Sequence, residues 1–309
     1  MGIGDKSEGE HSFQKRSYAM HESHYAKFAS DGQSRMNGES WMHADTVDAW
    51  RHRRMYDCLL PLIDGEGKSS WLTVGDGRFG SDAQYLMKHG CQALPTDISD
   101  IMLREAKERG LIADYRKENA ESLSFPDEAF DYVLCKEAFH HFPRPMIAFY
   151  EMLRVVRKGI VLIEPDDHYI NHGIGDFIFR KTKDLLRTLM GKQDQRHAFE
   201  TVGNYVYCLS RREIEKTALG LNLKHLAFHG VNDHYVPGLE QVKAGENTPL
   251  EKRTRRIIQL QDLACRLKIK RPRLIVAVIF KKVPSQAILA SLRKGGFCLI
   301  TLPDNPYLG

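Results

Sequence analysis

The segment Ser70-Trp71-Leu72-Thr73-Val74-Gly75-Asp76-Gly77-Arg78-Phe79-Gly80, with Ala93-Leu94-Pro95-Thr96-Asp97 a helix-length further on, decides the fold. An apolar run ends at paired glycines, a helical pattern follows, and a second apolar run closes on a carboxylate twenty residues after Gly77. That is the layout of a nucleotide-cofactor site at the edge of a parallel sheet. The glycines remove side chains where the backbone must lie against a ligand, and the acid accepts hydrogen bonds from ribose hydroxyls.

Outward from this segment, short apolar runs alternate with helical ones. Strands are expected at 70–75, 91–96, 112–117, 130–135 and 159–164, and helices at 80–89, 99–109 and 144–157. Such alternation predicts right-handed crossovers and a parallel sheet covered on both faces. Gly90 and Gly110 fall where two of the helices should stop. After Pro165 the rhythm breaks. Residues 168–208 place Phe177, Ile178, Leu185, Leu186, Leu189 and Met190 at helical spacing, which predicts a helical cap inserted over the sheet edge. Ser210-Arg211-Arg212-Glu213 is a capping-box helix start, and strands near 222–230 and 273–281 should form an antiparallel pair closing the sheet.

Residues 1–40 are polar, rich in Gly, Ser and His, and expected to be mobile. Residues 41–67 read as a helical lid: Val47, Trp50, Met55, Cys58, Leu59 and Leu62 mark one apolar side, with Asp45 or Thr46 as cap. Trp50, Arg51, His52, Arg53 and Arg54, with Tyr25 upstream, would face the cofactor or form a solvated basic face. The core is expected over 68–283. The basic stretch 250–267 carries Ile257, Leu260, Ala264 and Leu267 at the period of an ordinary amphipathic surface helix, and 284–309 reads as a tail with one short helix.

Composition narrows the class. The chain has 309 residues, and 45 Lys and Arg against 40 Asp and Glu leave a net charge of only +5. No RNA-recognition signature accompanies the basic stretch, so no nucleic-acid partner is expected. Six scattered cysteines lack Cys-x-x-Cys spacing, which argues against a disulfide framework or structural zinc and for a reducing, cytoplasmic compartment. Neither a signal-peptide core nor a membrane-length apolar run is visible. Composition leaves the oligomeric state open.

Four motifs in order carry a family resemblance: the glycine loop, Asp97-Ile98-Ser99, Asn119-Ala120-Glu121-Ser122-Leu123-Ser124-Phe125, and Phe130-Asp131-Tyr132-Val133-Leu134 running on to Lys136-Glu137-Ala138-Phe139-His140-His141-Phe142. Over residues 70–165 the chain resembles the class I S-adenosylmethionine-dependent methyltransferases, in their small-molecule branch. The resemblance implies a doubly wound, seven-stranded, mostly parallel α/β sheet of the Rossmann-like type, with S-adenosylmethionine as cofactor. It also implies a methyl transfer to a small-molecule or glycan-type acceptor.

Carried over residue by residue, the resemblance puts Gly75, Asp76 and Gly77 against the methionine part. Asp97 and Ile98 fall at the ribose, Asn119 and Ala120 at the adenine, and Lys136 on the floor beneath. The chain departs from the family pattern at Thr73 and Asn119, where acids are usual, and at Gly80, displaced by one position from Phe79.

Methyl transfer from a sulfonium needs alignment and the exclusion of water more than group chemistry. An oxygen acceptor would use a base, and His140 or His141 at the end of the fourth strand suits that role, His141 being favoured. Glu164-Pro165-Asp166-Asp167-His168 offers hard ligands for a divalent ion, but loop caps or substrate contacts are the commoner use, and no metal is assigned. The glycine spacing also admits a nicotinamide-dependent oxidoreductase. A non-catalytic cofactor-binding partner protein becomes the better reading if the histidines and residues 164–168 prove to be buried structural groups.

Overall fold

The computed structural model describes residues 6–30, 32, 39–40, 43–167, 181–182, 185–186, 189, 198–200 and 204–307. Among them the chain runs α1 (Lys6–Ser30), α2 (Val47–Tyr56), α3 (Leu60–Glu66), β1 (Ser70–Val74), α4 (Ser81–Lys88), β2 (Gln92–Asp97), α5 (Ile101–Glu108) and β3 (Arg116–Lys117). It continues with β4 (Phe130–Lys136), α6 (Pro145–Val155), β5 (Val156–Pro165), α7 (Arg211–Gly220) and β6 (His225–Val231). The last elements are α8 (Pro249–Arg266), β7 (Leu274–Phe280), α9 (Gln286–Lys294) and β8 (Cys298–Thr301).

The strands form one sheet in the order β3-β2-β1-β4-β5-β7-β6-β8. The first five are parallel, and β7 is antiparallel to both β5 and β6, as expected of the two late strands. Because the strand period is two, successive residues feed opposite layers. Leu72, Val74, Val133, Cys135, Ile160 and Leu162 pack with α6 and α7 on one face. Trp71, Tyr132, Leu134, Val161 and Ile163 pack with α2, α3 and α9 on the other. Both faces are therefore covered, which is why β7, Leu274 to Phe280, is apolar and buried at every position.

Three expectations are corrected. The sheet has eight strands rather than seven, because Cys298–Thr301, within the stretch read as a tail, pairs antiparallel with β6. Helix α9, the short helix expected in the same stretch, packs on α3. The strand expected over 112–117 shrinks to Arg116–Lys117, which pairs only with Thr96 and Asp97. Thr96 turns its carbonyl toward β1, so alternation points the Pro95 backbone nitrogen toward β3, where a proline has no N–H to give.

Residues 6–30, expected to be mobile, form α1. Its polar side chains hold it: Ser17 donates to Asn204 at 2.7 Å and Tyr18 to Glu121 at 2.7 Å. The expected cap at 168–208 lies mostly outside the described residues, including Phe177, Ile178 and Met190.

Thr46 caps α2 through the Ala49 amide. Two arginines of α2, Arg51 and Arg54, are engaged by the fold, while Arg53 stays exposed. Arg51 is buried between Asp48 and Asp233, and Arg54 donates to the Asn232 carbonyl at 2.7 Å. Replacing Arg51 with Met should leave two carboxylates uncompensated and cost about 3–5 kcal/mol in urea unfolding. A loss under about 1 kcal/mol would contradict that accounting.

Candidate active site

Parallel strands deliver their carboxyl ends to one edge, and the order reverses between β1 and β4. At that switch point lies a cleft of about 950 Å³, solvent at its mouth included, bordered by the segments after β1, β2, β3 and β4. Gly75, Asp76, Asp97, Ile98, Asn119, Ala120, Lys136 and His141, all singled out in the sequence, line it together. Gly77 lies behind Asp97: a Cβ there would stand 2.8 Å from the Asp97 carboxyl carbon. A Cβ on Gly75, whose φ is +77°, would meet the Ala138 Cβ at 2.3 Å. Both glycines are thus demanded by the closeness of neighbouring loops.

The Asp97 carboxylate accepts from the Ser99 amide at 2.8 Å and from the Gly77 and Ile98 amides. Burial still dominates and pushes its pKa up to about 6. Asp76 behaves differently from expectation. Its carboxylate turns away to cap α4, accepting from the Asp82 and Ala83 amides at 3.1 and 3.0 Å and from the Thr73 hydroxyl at 2.8 Å. Thr73 therefore supports an acid that has moved three positions along the loop. Asn119 accepts from the Glu121 amide at 2.9 Å, which fixes the turn after β3.

At the other end of the cleft Lys136 is buried, with Nζ 3.6 Å from both Asp82 and Glu137 and 4.8 Å from the centre of the Tyr56 ring. Burial opposes its charge, but Asp82 and Glu137 outweigh it and raise its pKa. Burial likewise opposes the Glu137 charge, yet Lys136, His52, Arg78 and Arg51 pull its pKa down to about 2. Tyr56 donates to Asp82 at 2.7 Å.

The two histidines separate. Glu164 is fully buried and accepts from the Ala138 and Phe139 amides at 2.9 and 3.0 Å, while His140 Nδ1 lies 2.6 Å from its other oxygen. His140 and Glu164 therefore pin the turn after β4. Glu164 is thus engaged by backbone amides and by His140 rather than open as a metal ligand. Asp166 is buried with Arg271 at 3.8 Å, and His168 lies outside the described residues. His141 keeps 39% of its side chain exposed, lines the cleft, and contacts Glu200 through Nδ1.

Of the roof, the sequence pointed to Tyr25 but not to Tyr18 or His21. Tyr18, His21 and Tyr25 of α1 line the cleft from above, His21 accepting from Asn204 at 2.7 Å. Their spacing of three and four residues was the legible signal. Asp82, Glu137 and Glu200 gave none, since an acid in a first helical turn or in a loop is ordinary. Of the expected lid, His52 and Arg53 border a second cavity beside α4 that shares Arg78, Ser81 and Lys136 with the first.

Burial alone would lower the His140 pKa, and Glu164 more than reverses this to raise it. In Glu164→Gln the His140 resonances should therefore titrate at lower pH than in the parent, as followed by NMR. Unchanged titration would disconnect the pair.

Residues 72–163 match the sequence profile of a methyltransferase domain. Over 98 residues the chain is 34% identical to a 2-methyl-6-phytyl-1,4-hydroquinone methyltransferase of Synechocystis sp., covering 31% of each protein. Over 112 residues it is 32% identical to the phthiotriol/phenolphthiotriol dimycocerosates methyltransferase of Mycobacterium tuberculosis, covering 35% of this chain and 41% of that one. The chain thus spans 31% and 41% of the lengths of these two curated relatives. A solved SAM-dependent methyltransferase from Archaeoglobus fulgidus resembles it with a TM-score of 0.47 and 15% identity, over 77% of this chain and 95% of that one. The motifs that frame the cleft thus fall within the segment, residues 72–163, that matches a methyltransferase domain.

Proposed function

We propose that the protein transfers a methyl group from S-adenosylmethionine to an oxygen of a small-molecule or glycan-type acceptor. The observation that carries the reading is the Asp97 carboxylate, buried at the cleft with only backbone amides as donors and its pKa pushed up to about 6. A carboxylate so placed gains from the paired hydroxyls of a ribose. The bare backbone at Gly75 and Gly77 gives the cofactor's methionine half room to approach, and Asn119 and Ala120 stand where the adenine would lie. Lys136 and Asp82 supply charges of both signs at the far end, matched to an amino-acid terminus. When bound, the sulfonium supplies the activated methyl.

This chain's residues orient, exclude water and move one proton. The α1 aromatics roof the cleft, which keeps water from the reacting centre. In this reading the Glu200 carboxylate holds the Nδ1 proton of His141, leaving Nε2 free to accept the acceptor's hydroxyl proton, and stabilises the imidazolium that results. The non-catalytic alternative is favoured by His140 and Glu164, which are structural, and opposed by His141, which is not. The methyltransferase profile displaces the nicotinamide reading. Six scattered cysteines without Cys-x-x-Cys spacing fit a reducing cytoplasm, the compartment proposed.

Ribose hydroxyls favour the charged form of Asp97, so binding should release a proton near pH 6. Affinity should rise with pH through about 6 and level off above it. Asp97→Ala should weaken S-adenosylmethionine by roughly 2–4 kcal/mol and abolish this dependence in calorimetric titration. Affinity flat across that range in the parent protein would refute the assignment. His141→Ala should keep cofactor affinity and lose about a hundredfold or more in kcat on phenolic or sugar-nucleotide acceptors, with Glu200→Gln between the two. Intact turnover in His141→Ala removes the base.

A further inference from the structure

Helix α8 faces the wrong way for an ordinary surface helix. The sequence reading placed Leu260 and Leu267 on a side to be buried, yet the buried residues are Glu251, Thr254 and Ile258. Leu260, Leu263 and Leu267 are 56%, 52% and 61% exposed, and Ile269 just beyond the helix is 53% exposed. At 3.6 residues per turn, these leucines share an arc of about 80° with Arg253 and Arg256, opposite the buried side. Arg266 and Lys252 flank the arc.

The helix is held by polar contacts instead. Arg255 pairs with Glu251 at 2.8 Å and lies 3.9 Å over Trp50, while Asp262 takes Asn232 at 2.8 Å and Arg54 at 3.4 Å. Those contacts consume both acids of the helix. Among the described residues Arg253, Arg256 and Arg266 have no ion-pair partner. The outward face is therefore apolar and cationic with no negative charge of its own.

We propose that this face of α8 seats the protein on an anionic membrane surface, the leucines entering the headgroup boundary and the arginines meeting lipid phosphates. The charge selects the occupant: a second copy of the chain would bring the same acid-free cationic face and offer Arg253 and Arg256 no carboxylate, whereas an anionic leaflet complements them. Arginine stems can lie along the apolar stripe while their heads reach the phosphates. Helix α2 links this face to the cleft, contacting α8 through Trp50 and Arg54 and Glu137 through His52. Among the described residues no helix is long and apolar enough to cross a bilayer, so attachment would be to one leaflet.

The test uses the full chain without cofactor, co-sedimented with vesicles of equal parts phosphatidylglycerol and phosphatidylcholine, and with phosphatidylcholine alone. Its outcome is thus independent of methyl transfer. The parent should bind the anionic vesicles and lose binding at high salt. R253Q/R256Q/R266Q should bind on the order of a hundredfold more weakly, at about fivefold per cation. L260S/L263S/L267S, which removes no buried side chain, should lose at least about tenfold while keeping the parent's circular dichroism. Equal affinity for both vesicles, or undiminished binding by the serine variant, overturns the proposal. So does a parent dimer that the serine variant dissolves without any vesicle binding, which would give the face to a second copy.

Discussion

Everything at the sheet edge turns on a carboxylate pressed against a backbone that has no side chain. Asp97 sits so close to Gly77 that a methyl group there would stand 2.8 Å from its carboxyl carbon. This contact ties the loop after β1 to the end of β2 and sets the depth of the cleft. Two more buried acids do related work on either side. Asp76 satisfies the first amides of α4, and Glu164 satisfies the amides of the turn after β4. Backbone amides at loop and helix starts have no partner of their own, and buried carboxylates are strong acceptors for them. The loops that shape the cleft are thereby fixed by buried side-chain acceptors as well as by apolar packing.

The same economy of polar contacts extends to the roof and the far wall. Helix α1 has too few apolar side chains to be held by a core, and it is positioned by Ser17, Tyr18 and His21 reaching Asn204 and Glu121. Tyr25 adds an apolar edge against Phe79 and α5. On the far wall, Asp82, Lys136, Glu137 and His52 form a chain of close polar contacts. Neighbouring charges outweigh burial at Lys136 and Glu137, whereas burial outweighs them at Asp82 and His52. Helix α8 extends the pattern outward, since its polar anchors leave its leucines to solvent.

Sequence reading reached the fold because its signal is periodic and local. Alternating apolar runs, glycine stops and the Ser210 capping box placed β1, β2, β4, β5 and the helices between them within a few residues. It missed where the signal is weak or distant. Strand β8 is four residues long and pairs with a strand about seventy residues earlier. Helix α1 is polar, and composition cannot distinguish a polar helix held by tertiary hydrogen bonds from a free segment.

The sequence by itself determined the parallel strands and the loop residues at their carboxyl ends, because glycine spacing and strand periodicity are properties of neighbouring residues. Tertiary structure alone decided which groups are used up and which remain open. His140 and His141 are adjacent in the chain, yet Glu164 buries one and the cleft receives the other. Asp76 and Asp97 both follow strands and border the cleft, yet one turns its carboxylate to the first amides of a helix and the other accepts from the amides of its own turn. Those outcomes depend on which distant partner lies within hydrogen-bond reach, and no local pattern carries that distance.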